Sequence, residues 1–191
     1  RHFVVHVLHL RPSLLVHFFR EVTIPDPSNT VAFLSRLNSL LYILKHGPMS
    51  LDAHQEPAFF PRNLKKQVLG KALHSSNHLV AFQALTFYIA VLDRVRQAMT
   101  VGWNSLDSLV LPDLPMLVAV LSKLEMKNRK SHAVLFAYTC RAVESYVSVV
   151  CTLGFDWTKL LPRDAQQFCK TPIALQQMVL SSIQVLIVQQ K

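Results

Sequence analysis

Charge is what this sequence has least of. Charged residues occupy 16% of its 191 positions and apolar residues 51%, where a soluble domain typically carries about 25% charge. So little charge leaves apolar surface to be covered by a partner or by further parts of the same chain. Beginning at Arg1 and not at Met, the sequence reads as a fragment or a mature piece. Glycine is also scarce, at four residues. None of the four belongs to a phosphate-cradling loop, and the chain holds neither a GxSxG elbow nor an HExxH pair. Its eleven acidic residues are scattered. These absences argue against an enzyme, and no cofactor is expected.

Cysteine is nearly absent too. Cys140, Cys151 and Cys169 make an odd count at spacings that suit neither a CxxC metal site nor a disulfide framework. Cys140 and Cys151 fall in an apolar helical stretch, where buried reduced thiols are expected, and this suggests a reducing intracellular compartment. No signal peptide is visible, and polar residues break every apolar run before about 18 residues, so no membrane span is expected.

What the chain does have is a basic balance. Lysine and arginine outnumber acidic residues by 20 to 11, for a net charge of +9, which suits nucleic acid or an acidic partner. The densest clusters are Arg62, Lys65, Lys66 and Lys71, then Lys123, Lys127, Arg129 and Lys130.

The organising stretch runs from Lys65 to Arg96. It reads as a short basic helix, a Ser75–Ser76 break able to cap the next helix, and a long helix that is apolar on nearly every side. Such a helix is normally wrapped by others, so it predicts the central rod of an all-helical domain. Before it, a helix over His2–His9 precedes one with Pro12 in its first turn and an end near Arg20. Thr23–Asn29 is a turn. Val31, Leu34, Leu37, Leu41 and Leu44 then recur at helical steps up to the Gly47–Pro48 stop. Met49–Phe60 reads as a loop.

After the rod come an irregular stretch over Trp103–Val110 and a Leu111–Pro115 turn in which Asp113 can cap a helix over Met116–Leu124. A basic KNRK loop comes next, and then a helix over His132–Leu153 capped by Ser131 and ended by Gly154. Phe155–Trp157 opens a short helix interrupted by Pro162. Thr171–Pro172 starts a last one, to about Val188. Long helices alternating with short ones suggest an armadillo- or HEAT-like stack over residues 1–191, as one domain or as part of a longer solenoid.

Three constellations carry the candidate chemistry. His2, His6 and His9 share one helix face, which fits metal ligation, but no carboxylate or cysteine lies within a turn to complete the set, so an interface or solvent-facing role fits better. Asp93 with Arg96, and Arg141 with Glu144, stand three apart and read as surface pairs. Arg62, Lys65, Lys66 and Lys71 on the short helix, with Lys127, Arg129 and Lys130 at the KNRK tip, could hold phosphates without reading bases. The same patterns also fit solvated surfaces. No aromatic RNA-recognition motif accompanies them.

The stretch PRNLKKQVLGKALHSSNHLVAFQALTFYIAVLDRV, Pro61–Val95, resembles the N-terminal domain of the nucleolar pre-ribosomal-associated protein family. The resemblance rests on Pro61, Leu64, Lys71, Leu73, His74, Ser75, Ser76, Leu79 and Val80. Phe18–Leu44 and Leu111–Leu124 are similar to neighbouring elements of that domain. These motifs are structural, so no catalytic residue carries over. The resemblance implies a non-enzymatic nucleolar scaffold in early assembly of the large (60S) ribosomal subunit. Its partners would be the pre-ribosomal particle, ribosomal RNA and other assembly factors, including a DEAD-box helicase module. The competing expectation is a helical-repeat protein-interaction scaffold that binds no RNA.

Overall fold

The computed structural model describes residues 2–49, 66–100, 116–117, 119–120, 123–124, 129–152, 176–177 and 180. Every regular element among them is helical: α1 (His2–Leu10), α2 (Ser13–Glu21), α3 (Thr30–His46), α4 (Lys66–Leu73), α5 (His78–Thr100) and α6 (Arg129–Thr152). The chain divides into two compact units, Arg1–Pro112 and Asp113–Lys191.

In the first unit, several helix boundaries have a local cause. α1 runs to Leu10, and Arg11 N–H still donates to the Val7 carbonyl at 2.9 Å. Pro12, which has no N–H to give, interrupts the ladder. It does so from helical dihedrals, φ −58° and ψ −30°, as the residue just before α2 and not within its first turn. The turn after α2 is held by Asp26, whose carboxylate accepts from Ser28 N–H at 3.0 Å. Asn29 then caps α3, its side-chain oxygen accepting from Ala32 N–H at 3.4 Å.

α3 ends at His46, with Gly47 as its C-cap. Gly47 has φ −77°, which any residue adopts, but a Cβ built there would lie 2.6 Å from the Ile43 carbonyl oxygen. Between α4 and α5 the cap is not a serine. Asn77 accepts from Leu79 N–H at 3.0 Å through its side chain, and Ser75 Oγ accepts from Asn77 N–H at 3.1 Å. The serine therefore positions the cap, and the amide side chain, with its longer reach, closes the helix end.

α5 is the rod that the sequence predicts. It packs along α3 and α4, and Val80, Ala84, Phe87, Tyr88, Val91, Val95 and Ala98 have no exposed surface. By length and composition α5 could also cross a membrane, but 61% of its most apolar 18-residue window is buried inside the protein. From α3, Phe33, Leu37 and Leu40 are fully buried, and from α4 so are Leu69 at 1% exposure and Ala72 at 0%. Each fully buried large apolar side chain contributes about 1.5–3 kcal/mol of transfer free energy. Leu15 and Phe19 bury the inner face of α2.

In the second unit, Leu117, Val120 and Leu124 are buried, at the steps of a helix face. Along α6 the buried positions Leu135, Thr139, Ala142, Val143 and Val147 trace one stripe, and the Thr139 hydroxyl is satisfied by donating to the Leu135 carbonyl at 2.7 Å. α6 begins at Arg129, so Ser131 lies inside it and is not its cap. Cys140 is half-buried, not buried. The expected features at Trp103–Val110, Leu111–Pro115, Phe155–Trp157, Pro162 and Thr171–Pro172, and the glycine stops at Gly102 and Gly154, lie outside the described residues, as do positions 50–60 of the expected loop.

Candidate functional site

The basic residues singled out by sequence divide into three groups. Arg62, Lys65 and Lys127 lie outside the described residues. Lys66, Arg129 and Lys130 are helical, at the first turns of α4 and α6, and their side chains are outside the description as well. Arg129 and Lys130 are therefore helical residues and not part of a loop tip.

Two members have placed side chains, Lys123, which is exposed in the second unit, and Lys71 in the first. With Gln67, Lys71 makes the exposed side of α4, opposite Leu69, Ala72 and Leu73. Its ammonium donates to Asp26 Oδ2 at 3.1 Å across a sequence gap of 45 residues, and its side chain remains 67% exposed. Asp26 is held well below the ordinary carboxylate range, at about 2, first by the Ser28 N–H and next by the Lys71 ammonium. The pair ties α4 to the α2–α3 turn and already offsets part of the positive charge that Lys71 presents to solvent.

The histidine stripe of α1 turns toward α3. His2 Nδ1 and the Tyr42 hydroxyl lie 2.7 Å apart, with the two rings edge to face at 5.4 Å. Tyr42 also lies against the ring of His46 at 4.6 Å. His9 Nε2 donates to the His46 carbonyl at 2.8 Å. His6 is exposed. Among the described residues no group of three or more His, Cys, Asp or Glu is arranged to hold a metal ion. The surface pairs read from sequence also separate: Arg96 donates to Asp93 at 3.2 Å, whereas Arg141 and Glu144 are both exposed without an ion pair between them.

The most elaborate polar site is one that residue spacing alone does not announce. Arg94 sits in α5 with 4% of its surface exposed. Its Nε donates to the Leu44 carbonyl at 2.7 Å, Nη1 to Pro48 at 2.9 Å, and Nη2 to Gly47 at 2.6 Å and Ile43 at 3.3 Å. The last carbonyls of a helix lack intrahelical partners and carry its negative dipole end, and one planar guanidinium serves four carbonyls here. Burial pushes Arg94 down to about 10, so it stays charged at neutral pH. With His9 on the His46 carbonyl, α1 and α5 both grip the C-terminal end of α3. The available signal was register: Arg94 is three residues after buried Val91 and four before buried Ala98, on a helix already read as enclosed.

Chemically the first unit offers an apolar helical core and an exposed polar side on α4, and its buried Arg94 joins α5 to the end of α3. No family model matches the chain, and no curated protein or solved structure matches it significantly.

Proposed function

We propose that the chain is a non-enzymatic scaffold in early assembly of the large ribosomal subunit, built as an armadillo- or HEAT-like helical stack. In this reading it works in the nucleolus, away from membranes. It holds other assembly factors, a DEAD-box helicase module among them, and touches pre-ribosomal RNA through basic helix faces. The observation that carries the reading is the resemblance over Pro61–Val95. Within it lie α4, the Asn77 cap and α5 as far as Val95. Two further features support it: a net charge of +9, and the Lys71 ammonium directed outward from α4. Phosphate contacts of this kind supply affinity and register without base reading.

One observation favours the second reading, a protein-interaction scaffold that binds no RNA. Lys71 is already paired with Asp26, which lessens its pull on a phosphate.

RNA crosslinking in cells separates the two, comparing the unmodified protein with a variant in which Arg62, Lys65, Lys66 and Lys71 are changed to Glu. Loss of crosslinks to large-subunit ribosomal RNA is the expected result. An Asp26→Asn control, which breaks the ion pair but keeps the lysine, should retain them. An unmodified protein that crosslinks no ribosomal RNA would count against the assembly-factor reading. In vitro, RNA affinity should fall steeply with salt, with a log–log slope of roughly −0.7 per phosphate contacted on a single strand.

A further inference from the structure

The outward face of α1 carries exposed apolar side chains beside the exposed His6. Phe3 is 76% exposed and Leu10 is 70% exposed, with half-buried Val7 between them in register. At 100° per residue, positions 3, 7 and 10 form one stripe along the helix, on the side opposite buried Val5 and Leu8. The inner side is already engaged, through those two residues and through His2 and His9. A helix packed on one side alone normally turns polar residues to water, whereas α1 turns out a phenyl ring and a leucine. Past the Pro12 joint, Leu14 opens α2 at 39% exposure. Residues 1–20 contain no Asp or Glu, the first carboxylate in the sequence being Glu21 at the end of α2. Arg11, the residue after Leu10, is exposed.

We propose that the outer face of α1 docks an acidic amphipathic helix of a partner protein. Phe3, Val7 and Leu10 form the ridge that enters the partner's apolar groove. Arg11 meets carboxylates on the rim, in a segment where no carboxylate of this chain competes for them. A lipid surface fits less well. α1 itself contains no lysine or arginine, and membrane-surface helices depend on such cations along their polar side. The inference rests on the scaffold reading and specifies the chemistry of one protein partner. Its test uses no ribosomal component, so its failure is distinguishable from failure of the RNA measurement.

The probe is a labelled helical peptide of three heptads, with leucine at the a and d positions and glutamate at most others, titrated with the 191-residue chain by fluorescence anisotropy. Saturable binding is expected. Phe3→Ser with Leu10→Ser should weaken it about tenfold, the loss typical of interface anchors, and Arg11→Glu should weaken it in the same direction. Val31→Ser should leave it unchanged, because Val31 is 79% exposed at the other end of α3 from the His46 contact. Circular dichroism checks that each variant keeps its helices. Absence of saturable binding overturns the proposal. So does binding that survives both the serine pair and Arg11→Glu, or equal binding of a peptide with lysine in place of glutamate. Capture by phosphatidylserine vesicles without peptide binding overturns it in favour of a membrane surface.

Discussion

The guanidinium of Arg94 in α5 lies 2.6 Å from the carbonyl oxygen of Gly47, the first residue past α3. Forty-seven positions apart in sequence, the two residues are complementary in shape as well as charge. An added Cβ at Gly47 would sit 3.6 Å from Nη2 and 2.6 Å from the Ile43 oxygen that the same nitrogen approaches. α3 and α5 are thereby locked at one end by a charged fork and along their length by apolar packing.

Arg94→Met keeps much of the volume and removes every donor. Hydrogen bonds to a charged group contribute about 1.5–3 kcal/mol each, and buried acceptors left unpaired cost about 1–3 kcal/mol. Allowing for water reaching the part-buried Gly47 and Pro48 carbonyls, the net loss should be about 2–4 kcal/mol, read as a lower urea midpoint. Arg94→Lys should fall between the two, because an ammonium lacks the planar fork that reaches four carbonyls.

Gly47→Ala should destabilise by about 1–3 kcal/mol, as overpacked sites do, through the collision with the Ile43 oxygen. Since φ at Gly47 is ordinary, the cost is entirely steric. A denaturation series in which Arg94→Met and Gly47→Ala are combined should come out less than additive, because both act on the same carbonyls.

Asp26 gives a pH signature. Its folded pKa of about 2 lies below the ordinary value of 3.8, so between these values the unfolded chain binds more protons and stability rises with pH. The contribution is fully present above about pH 4 and disappears as pH falls toward 2. Lys71→Met should move the Asp26 titration upward but not all the way, because Ser28 N–H is the larger cause. Following the Asp26 carboxyl carbon by NMR checks both statements.

Tyr42→Phe removes the hydroxyl shared with His2 and keeps the ring. An exposed neutral hydrogen bond contributes about 0.5–1.5 kcal/mol, and this one holds α1 locally. Amide exchange should therefore quicken in α1 while α5 amides stay protected. Equal acceleration in both helices would show that α1 does not open as a separate unit.

Much of the first unit was legible in the sequence. The three- and four-residue spacing from Val31 to Leu44 gave α3, the all-round apolarity after Ser76 gave α5, and the Gly47–Pro48 pair gave the stop, because these are consequences of helical periodicity and of local backbone chemistry. The cap of α5 was misplaced by one or two residues. Ser75, Ser76 and Asn77 are all capable caps, and only the folded turn decides which side chain reaches Leu79 N–H.

The long-range choices were not legible. Sequence can say that Arg94, Lys71 and His9 carry donors, but not which acceptor each will meet. Lys71 read as a free phosphate contact until folding brought Asp26 within 3.1 Å. Arg94 is not singled out by the sequence at all, and only the packing of α5 lays it across the end of α3. Helix content and core faces follow from local spacing, so this chain fixes them by itself. The partners of its polar groups follow from distances between helices, which only the packed tertiary structure sets.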